Sequence, residues 1–254
     1  MNELTFEELK YILEKKFIQY NQVSFVESDP ICIPHQFTKK ADIEVSAFLT
    51  SAICWGQRKA IIKSANYLMQ LMDFDPYLFV INSSENEINC IDKFYYRTFN
   101  AIDVLFFVKS LKNIYLKHNG LENAFSDGSS TKEKIINFRK LFFEKEHLNR
   151  TEKHISNVEK KAAAKRINLF LRWMIRKDKY GVDFGIWNNL QSKDLIIPLD
   201  VHSSNIARKF GLLNRVQNDW LSAELLTNSL KQFDKNDPFK YDFALFGMGV
   251  FNDI

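Results

Sequence analysis

Glycine and proline are scarce in this sequence. Only 8 and 5 occur among 254 residues, about half the usual share, so the punctuation that many short strands and hairpins require is missing. A mostly helical chain is expected. Cysteine is scarce too: Cys32, Cys54 and Cys90 are scattered, odd in number and without a C-x-x-C pair. That pattern excludes a disulfide scaffold, a structural zinc and an iron–sulfur cluster, and nothing calls for a metal or another cofactor. No stretch reaches the roughly 18 apolar residues of a membrane span, and Met1-Asn2-Glu3-Leu4-Thr5 lacks the basic-then-apolar order of a signal peptide. The expectation is a cytoplasmic protein without a membrane partner. Nor does one sign of charge dominate. The 35 basic and 31 acidic residues give +4, which permits a polyanionic partner without demanding one.

What is present belongs to an average folded protein, with 46% apolar and 26% charged residues. At this length roughly 70–75% of the unfolded surface can be buried, in one large core or two smaller lobes. Thr5 and Glu8 form a capping box, after which Phe6, Leu9, Leu13, Phe17 and Tyr20 recur at helical spacing and stop before Asn21. Ile61, Ala65, Leu68, Met69 and Met72 mark another helix. Val104, Val108, Leu111 and Tyr115 mark a third, ending at Asn119-Gly120, and Ser130 with Glu133 opens one carrying Ile135, Phe138 and Phe142. Asp75-Pro76 and Asp237-Pro238 each read as an N-cap followed by proline at the first helical position. Asp42 to Trp55 is apolar on nearly all sides, as in a central helix packed all round, with Gly56 to end it. The pattern amounts to about ten helices. The 23 phenylalanines sit mostly on apolar stripes and read as core. A boundary falls near Lys177 to Trp187, where a long helical pattern gives way to an irregular run.

Two places carry chemistry. A helix from about Val158 to Arg176 has an apolar stripe of Ala163, Ile167, Phe170, Leu171 and Met174, and puts Lys161, Lys165, Asn168, Arg172 and Arg176 on its opposite face. Such a row of cations matches a phosphate backbone. The same letters suit the solvated face of an ordinary amphipathic helix, which is the commoner arrangement. The second place is Pro198-Leu199-Asp200-Val201-His202, where Asp200 is set as the N-cap of a helix carrying Ile206, Ala207 and Phe210 and ending at Gly211. Taken alone, a purely structural cap is the commoner role for such an aspartate. The histidines show no metal spacing.

Three segments together resemble a known family: Lys160-Lys161-Ala162-Ala163-Ala164-Lys165-Arg166-Ile167-Asn168-Leu169-Phe170-Leu171-Arg172-Trp173-Met174, Ile197-Pro198-Leu199-Asp200-Val201-His202, and Tyr241-Asp242-Phe243-Ala244-Leu245-Phe246. They resemble a bacterial family of unknown function over nearly the whole chain. That family is in turn similar to the helix-hairpin-helix GPD superfamily of DNA glycosylases, most of all to the archaeal-type 8-oxoguanine DNA glycosylases. The resemblance implies an all-α, two-lobed architecture. Residues 39–178 would form a central lobe carrying the lysine helix, and residues 1–38 with 179–254 the other, with the active cleft between them. It implies that Lys165 is the catalytic lysine of a bifunctional glycosylase and AP lyase, that Asp200 is the essential aspartate, and that Gln57, in Ala52-Ile53-Cys54-Trp55-Gly56-Gln57, projects toward the gap left by an extruded base. Lys161, Arg166, Arg172 and His202 would contact the DNA. Trp55, Trp173 and Trp187 are candidates for the base slot, and Arg97 for a phosphate or the base, although a tyrosine-rich core edge with one surface arginine explains the letters around Arg97 more simply. The implied partner is damaged double-stranded DNA and the implied state a monomer.

One departure stands out. Ordinary members carry an L-P-G-x-G hairpin before the lysine, whereas here the run Glu159-Lys160-Lys161-Ala162-Ala163-Ala164 has no glycine, the residue that makes tight left-handed turns most easily. The 35-residue gap from Lys165 to Asp200 fits the archaeal-type enzymes better. A non-catalytic nucleic-acid-binding protein on the same scaffold is the alternative, and a purely structural interaction protein a third possibility.

Overall fold

A computed structural model describes residues 4–84 and 87–253 of the chain. Met1, Asn2 and Glu3, on which part of the signal-peptide reading rests, lie outside them. Among the described residues the chain forms α1 (Phe6–Tyr20), α2 (Val23–Ser28), α3 (Lys40–Ala52), α4 (Arg58–Leu71), α5 (Pro76–Asn82), the strands β1 (Tyr95–Tyr96) and β2 (Phe99–Asn100), and then α6 (Ala101–Lys117), α7 (Leu121–Ala124) and α8 (Thr131–Phe142). It continues through α9 (Lys165–Ile175), α10 (Val201–Lys209), α11 (Trp220–Leu230) and α12 (Lys240–Phe251). The fold is mostly helical. Its one sheet among these residues is an antiparallel hairpin pairing Tyr95 with Asn100 and Tyr96 with Phe99. No helix among them is long and apolar enough to cross a membrane.

Two compact units result: Met1–Phe25 with Val158–Ile254, and Val26–Asn157. The resemblance implies a boundary after Asp178, with the lysine helix in the central lobe. In the structure that helix, α9, belongs to the unit holding both terminal segments, because its polar side chains are tied to aspartates further along the chain, as described below.

The central unit follows the sequence closely. From Asp42 to Ala52 every residue of α3 is buried, as its all-round apolar pattern requires, although the helix ends four residues before Gly56. Phe48 packs against Phe107, Phe138 and Phe142 with ring centroids 5.5–5.9 Å apart, and Phe125 stacks on Phe138 at 3.8 Å. These phenylalanines are core. One buried polar cluster sits among them. The Asp103 carboxylate accepts hydrogen bonds from the Asn100 backbone N–H at 3.0 Å and the Thr151 hydroxyl at 2.8 Å, and pairs with Arg150 at 3.1 Å and His154 at 3.3 Å.

The terminal unit is organised on α12. The helix packs against α1 on one side and α10 on another. Two glycines permit the close approach: a Cβ on Gly247 would lie 2.2 Å from the Tyr20 ring, and one on Gly249 would lie 2.8 Å from His202 Cβ. α1 starts at the predicted capping box, with Thr5 Oγ1 accepting from the Glu8 backbone and Glu8 accepting from the Thr5 backbone. Leu9, Leu13 and Phe17 form its buried stripe. Asp237 is not an N-cap, contrary to the Asp-Pro pattern, because its carboxylate is taken by Arg176 and α12 begins at Lys240.

Candidate active site

Lys165 owes its position to a turn made without glycine. The sequence pattern predicts a helix from Val158, yet α9 begins only at Lys165. Before it the chain turns at Val158–Lys161, where the Lys161 N–H donates to the Val158 carbonyl at 2.9 Å. Lys161 (φ +67°) and Ala164 (φ +50°) then occupy the left-handed region, so the glycine-free run does make the tight turns expected to be difficult for it. Each such residue costs about 1–2 kcal/mol relative to its ordinary backbone, so its surroundings must fix it firmly. They do: the Lys161 carbonyl accepts from the Trp220 N–H at 3.0 Å, Ala162 bridges to Asp219, and Asn168 donates from its backbone to Ala164 at 3.0 Å and from its side chain to Ala163 at 3.2 Å.

Asp200 meets the lysine from the start of α10. Its extended backbone makes it the N-cap, and Oδ1 accepts the Ser203 N–H at 2.8 Å, as the sequence predicts. The other oxygen, Oδ2, accepts from Lys165 Nζ at 3.0 Å. The structural cap and the acid facing the lysine, alternatives in the sequence, are one carboxylate with its two oxygens divided between the two tasks. The lysine side chain is 37% exposed and the aspartate 8%, so the pair stands at the edge of the interior.

Behind this pair runs a buried series of charges. Ser203 Oγ donates to Asp242 Oδ1 at 3.3 Å, and Asp242 Oδ2 pairs with Arg172 Nη1 at 3.0 Å. Arg172 Nε reaches Asp183 Oδ1 at 3.1 Å, and Asp183 Oδ2 meets Arg176 Nη1 at the same distance. Arg176 also pairs with Asp178 at 2.7 Å and Asp237 at 3.0 Å. Burying so many charges is tolerable only because each is paired and hydrogen-bonded. Burial pushes the Asp242 carboxyl up to about 6; the Arg172 guanidinium opposes this and the nearby Asp200 carboxylate adds to it.

This network corrects the proposed phosphate-binding face. Arg172 is 4% exposed and Arg176 and Asn168 are no more accessible, so Arg172 is an interior ion-pair residue rather than a surface contact for DNA. Lys161 remains exposed and Arg166 is half-buried. His202 is exposed beside Asp200, its Nδ1 3.2 Å from the Gly249 carbonyl. A carbonyl only accepts, so Nδ1 is the donor in this contact. Gln57 is exposed at the N-cap of α4, in the central unit. Of the three tryptophans suggested for a base slot, Trp173 and Trp187 are core residues at 0% and 3% exposure. Trp55 is half-buried against Tyr96 and His154. Arg97 forms the hairpin turn between β1 and β2 with φ +55°.

Sequence reasoning missed Ser203, Asp183 and Asp242 as partners of this site. A signal was present for Asp242: it is the lone carboxylate within Tyr241–Met248 of α12, a segment otherwise without charge, and an aspartate there requires a buried cation.

Residues 29–251 match the sequence profile of a family described as protein of unknown function (DUF2400). The chain belongs to this family. No curated protein and no solved structure matches it. The part shared with DUF2400 includes Lys165, Asp200, Arg172, Ser203 and Asp242 and leaves α1 outside.

Proposed function

We propose that the protein is a DNA base-excision glycosylase with associated lyase activity, built on the two-lobed helix-hairpin-helix GPD plan and acting on oxidised guanine in double-stranded DNA. The observation that carries the reading is the 3.0 Å contact between Lys165 Nζ and Asp200 Oδ2. The two residues singled out by the resemblance, 35 positions apart, share one partly open spot. An amine beside a carboxylate is the pairing such chemistry needs.

The target nucleotide leaves the stack so that its sugar reaches the pair. The carboxylate oxygen of Asp200 is within reach to take the amine's proton, and the neutral amine then attacks C1′. The C1′–N bond breaks, its electron pair leaves with the base, and the base takes up a proton. Asp200 faces the positive charge that develops on the sugar. Loss of a proton from the new C–N centre opens the sugar to a Schiff base; removal of a proton from C2′ then expels the 3′ phosphate and cuts the strand. Lys161, Arg166 and His202 are groups of this unit suited to the DNA backbone, and Gln57, in the other unit, keeps only the role that the resemblance implies for it.

Borohydride reduction on a duplex containing 8-oxoguanine tests this. Wild type should release the base and form a covalent adduct, Lys165→Ala should form none, and Asp200→Asn should lose turnover. A wild-type protein that does neither on that duplex overturns the oxidised-guanine assignment. Duplex binding that weakens steeply with salt and survives Asp200→Asn, with no turnover in any variant, would favour the non-catalytic nucleic-acid-binding reading.

A further inference from the structure

Ser203 touches both carboxylates at once. Its backbone N–H donates to Asp200 Oδ1 at 2.8 Å and its hydroxyl donates to Asp242 Oδ1 at 3.3 Å. The serine is completely buried, so neither contact competes with water. One residue thus couples the cap that faces Lys165 to a second acid deeper in the same unit.

We propose that Ser203 and Asp242 are positioning residues for the Lys165–Asp200 pair: Ser203 holds the Asp200 carboxylate so that Oδ2 faces the amine, and ionised Asp242 adds negative charge behind it. This rests on the glycosylase reading, in which Asp200 faces a cationic sugar. A second negative charge at its back strengthens that electrostatic support without touching the substrate. The charge is removable. With its carboxyl pushed up to about 6, Asp242 takes up a proton within an ordinary pH range.

The surroundings of Asp242 are defined on each side. α9 contributes Arg172 and Lys165, α10 contributes Ser203 and its cap Asp200, and the segment after α9 contributes Asp183 through Arg172. From α1, Glu14, Lys16 and Tyr20 are engaged elsewhere on the terminal segment, with Lys240, Tyr241 and Asp253. Arg172 neutralises Asp242 only in part, because it also serves Asp183.

The test has a readout that needs no DNA. In protein carrying ¹³C-labelled aspartate carboxyls, the Asp242 resonance should titrate near pH 6. Its midpoint should fall in Asp200→Asn, which removes a like charge, and rise in Lys165→Met, which removes an opposite one. It should also rise in Ser203→Ala, return toward wild type in Ser203→Thr, and stay in place in Asp178→Asn, which alters the same arginine network away from the pair. Adduct formation in wild type should drop about tenfold as the pH falls below that midpoint, and Asp242→Asn should be low and flat across the range. A midpoint that moves in none of Asp200→Asn, Lys165→Met and folded Ser203→Ala overturns the inference. So does a pH profile of adduct formation left unchanged by Ser203→Ala. Where Asp242→Asn does not fold, Ser203→Ala and Ser203→Thr decide. Absence of any adduct in wild type counts against the proposed function, and the carboxyl titration then decides this inference by itself.

Discussion

Asp103 in the central unit and Asp242 in the terminal unit are both buried aspartates on helices, yet their carboxyls respond in opposite directions. Burial pushes both up. At Asp103 the donors outweigh it: His154, the Asn100 backbone and the Thr151 hydroxyl hold the carboxyl below the usual range. At Asp242 they do not, because one arginine shared with Asp183 and one serine face a second carboxylate at Asp200. Burial alone therefore does not say what a buried acid is for. Asp103 is a satisfied structural anchor, whereas Asp242 is left near the point of titration next to the candidate site.

The largest expected effect comes from removing the arginine of each cluster. Arg172→Ala leaves Asp183 and Asp242 with a lost partner in the interior and should destabilise the protein by about 3–5 kcal/mol in urea denaturation. Arg150→Ala, whose side chain is 35% exposed, should cost no more than about 1 kcal/mol. Equal losses would erase the contrast. A smaller effect is expected from pH. Asp242 has a folded value above its unfolded one, so its contribution is unfavourable: stability from this group falls as pH rises from about 4 to about 6, by on the order of 2–3 kcal/mol. Asp103 has the reverse sign, its contribution being full above its ordinary value and lost as pH falls through the folded one. Denaturation midpoints against pH should therefore lose a falling limb in Asp242→Asn and an acid-side loss in Asp103→Asn. The smallest effect separates stability from chemistry. Asp200→Ala removes a helix cap and should cost about 1 kcal/mol, whereas Asp200→Asn, which still caps, should cost only a few tenths. Both should abolish turnover equally. If Asp200→Asn turned over substrate normally, the carboxylate would be a cap and nothing more.

The elements that the sequence announced were those set by local rules. The Thr5–Glu8 box, the Ser130 cap, the stripe of α8 and the all-round burial of α3 depend on residues within a few positions of one another, and all are present. The Asp200 cap was legible for the same reason. The start of α9 was not, because Ala-rich letters favour a helix from Val158 and only contacts from Trp220, Asp219 and Asn168 hold the left-handed turn. The fate of Arg172 and Arg176 was equally hidden. Spacing shows that they share a face of α9 but not that Asp183, Asp237 and Asp242, 7 to 70 positions away, would cover it.

The glycine at 249 has a consequence for how the terminal unit can move. His202 rests directly on it, about two turns along α12 from the carboxylate that Ser203 contacts, so the first turn of α10 is keyed to a single longitudinal setting of α12. Sliding that helix by one residue would bring Met248 or Val250 against the His202 Cβ and backbone and carry Asp242 out of line with its serine. The floor beneath Asp200 is thus tied to the register of α12.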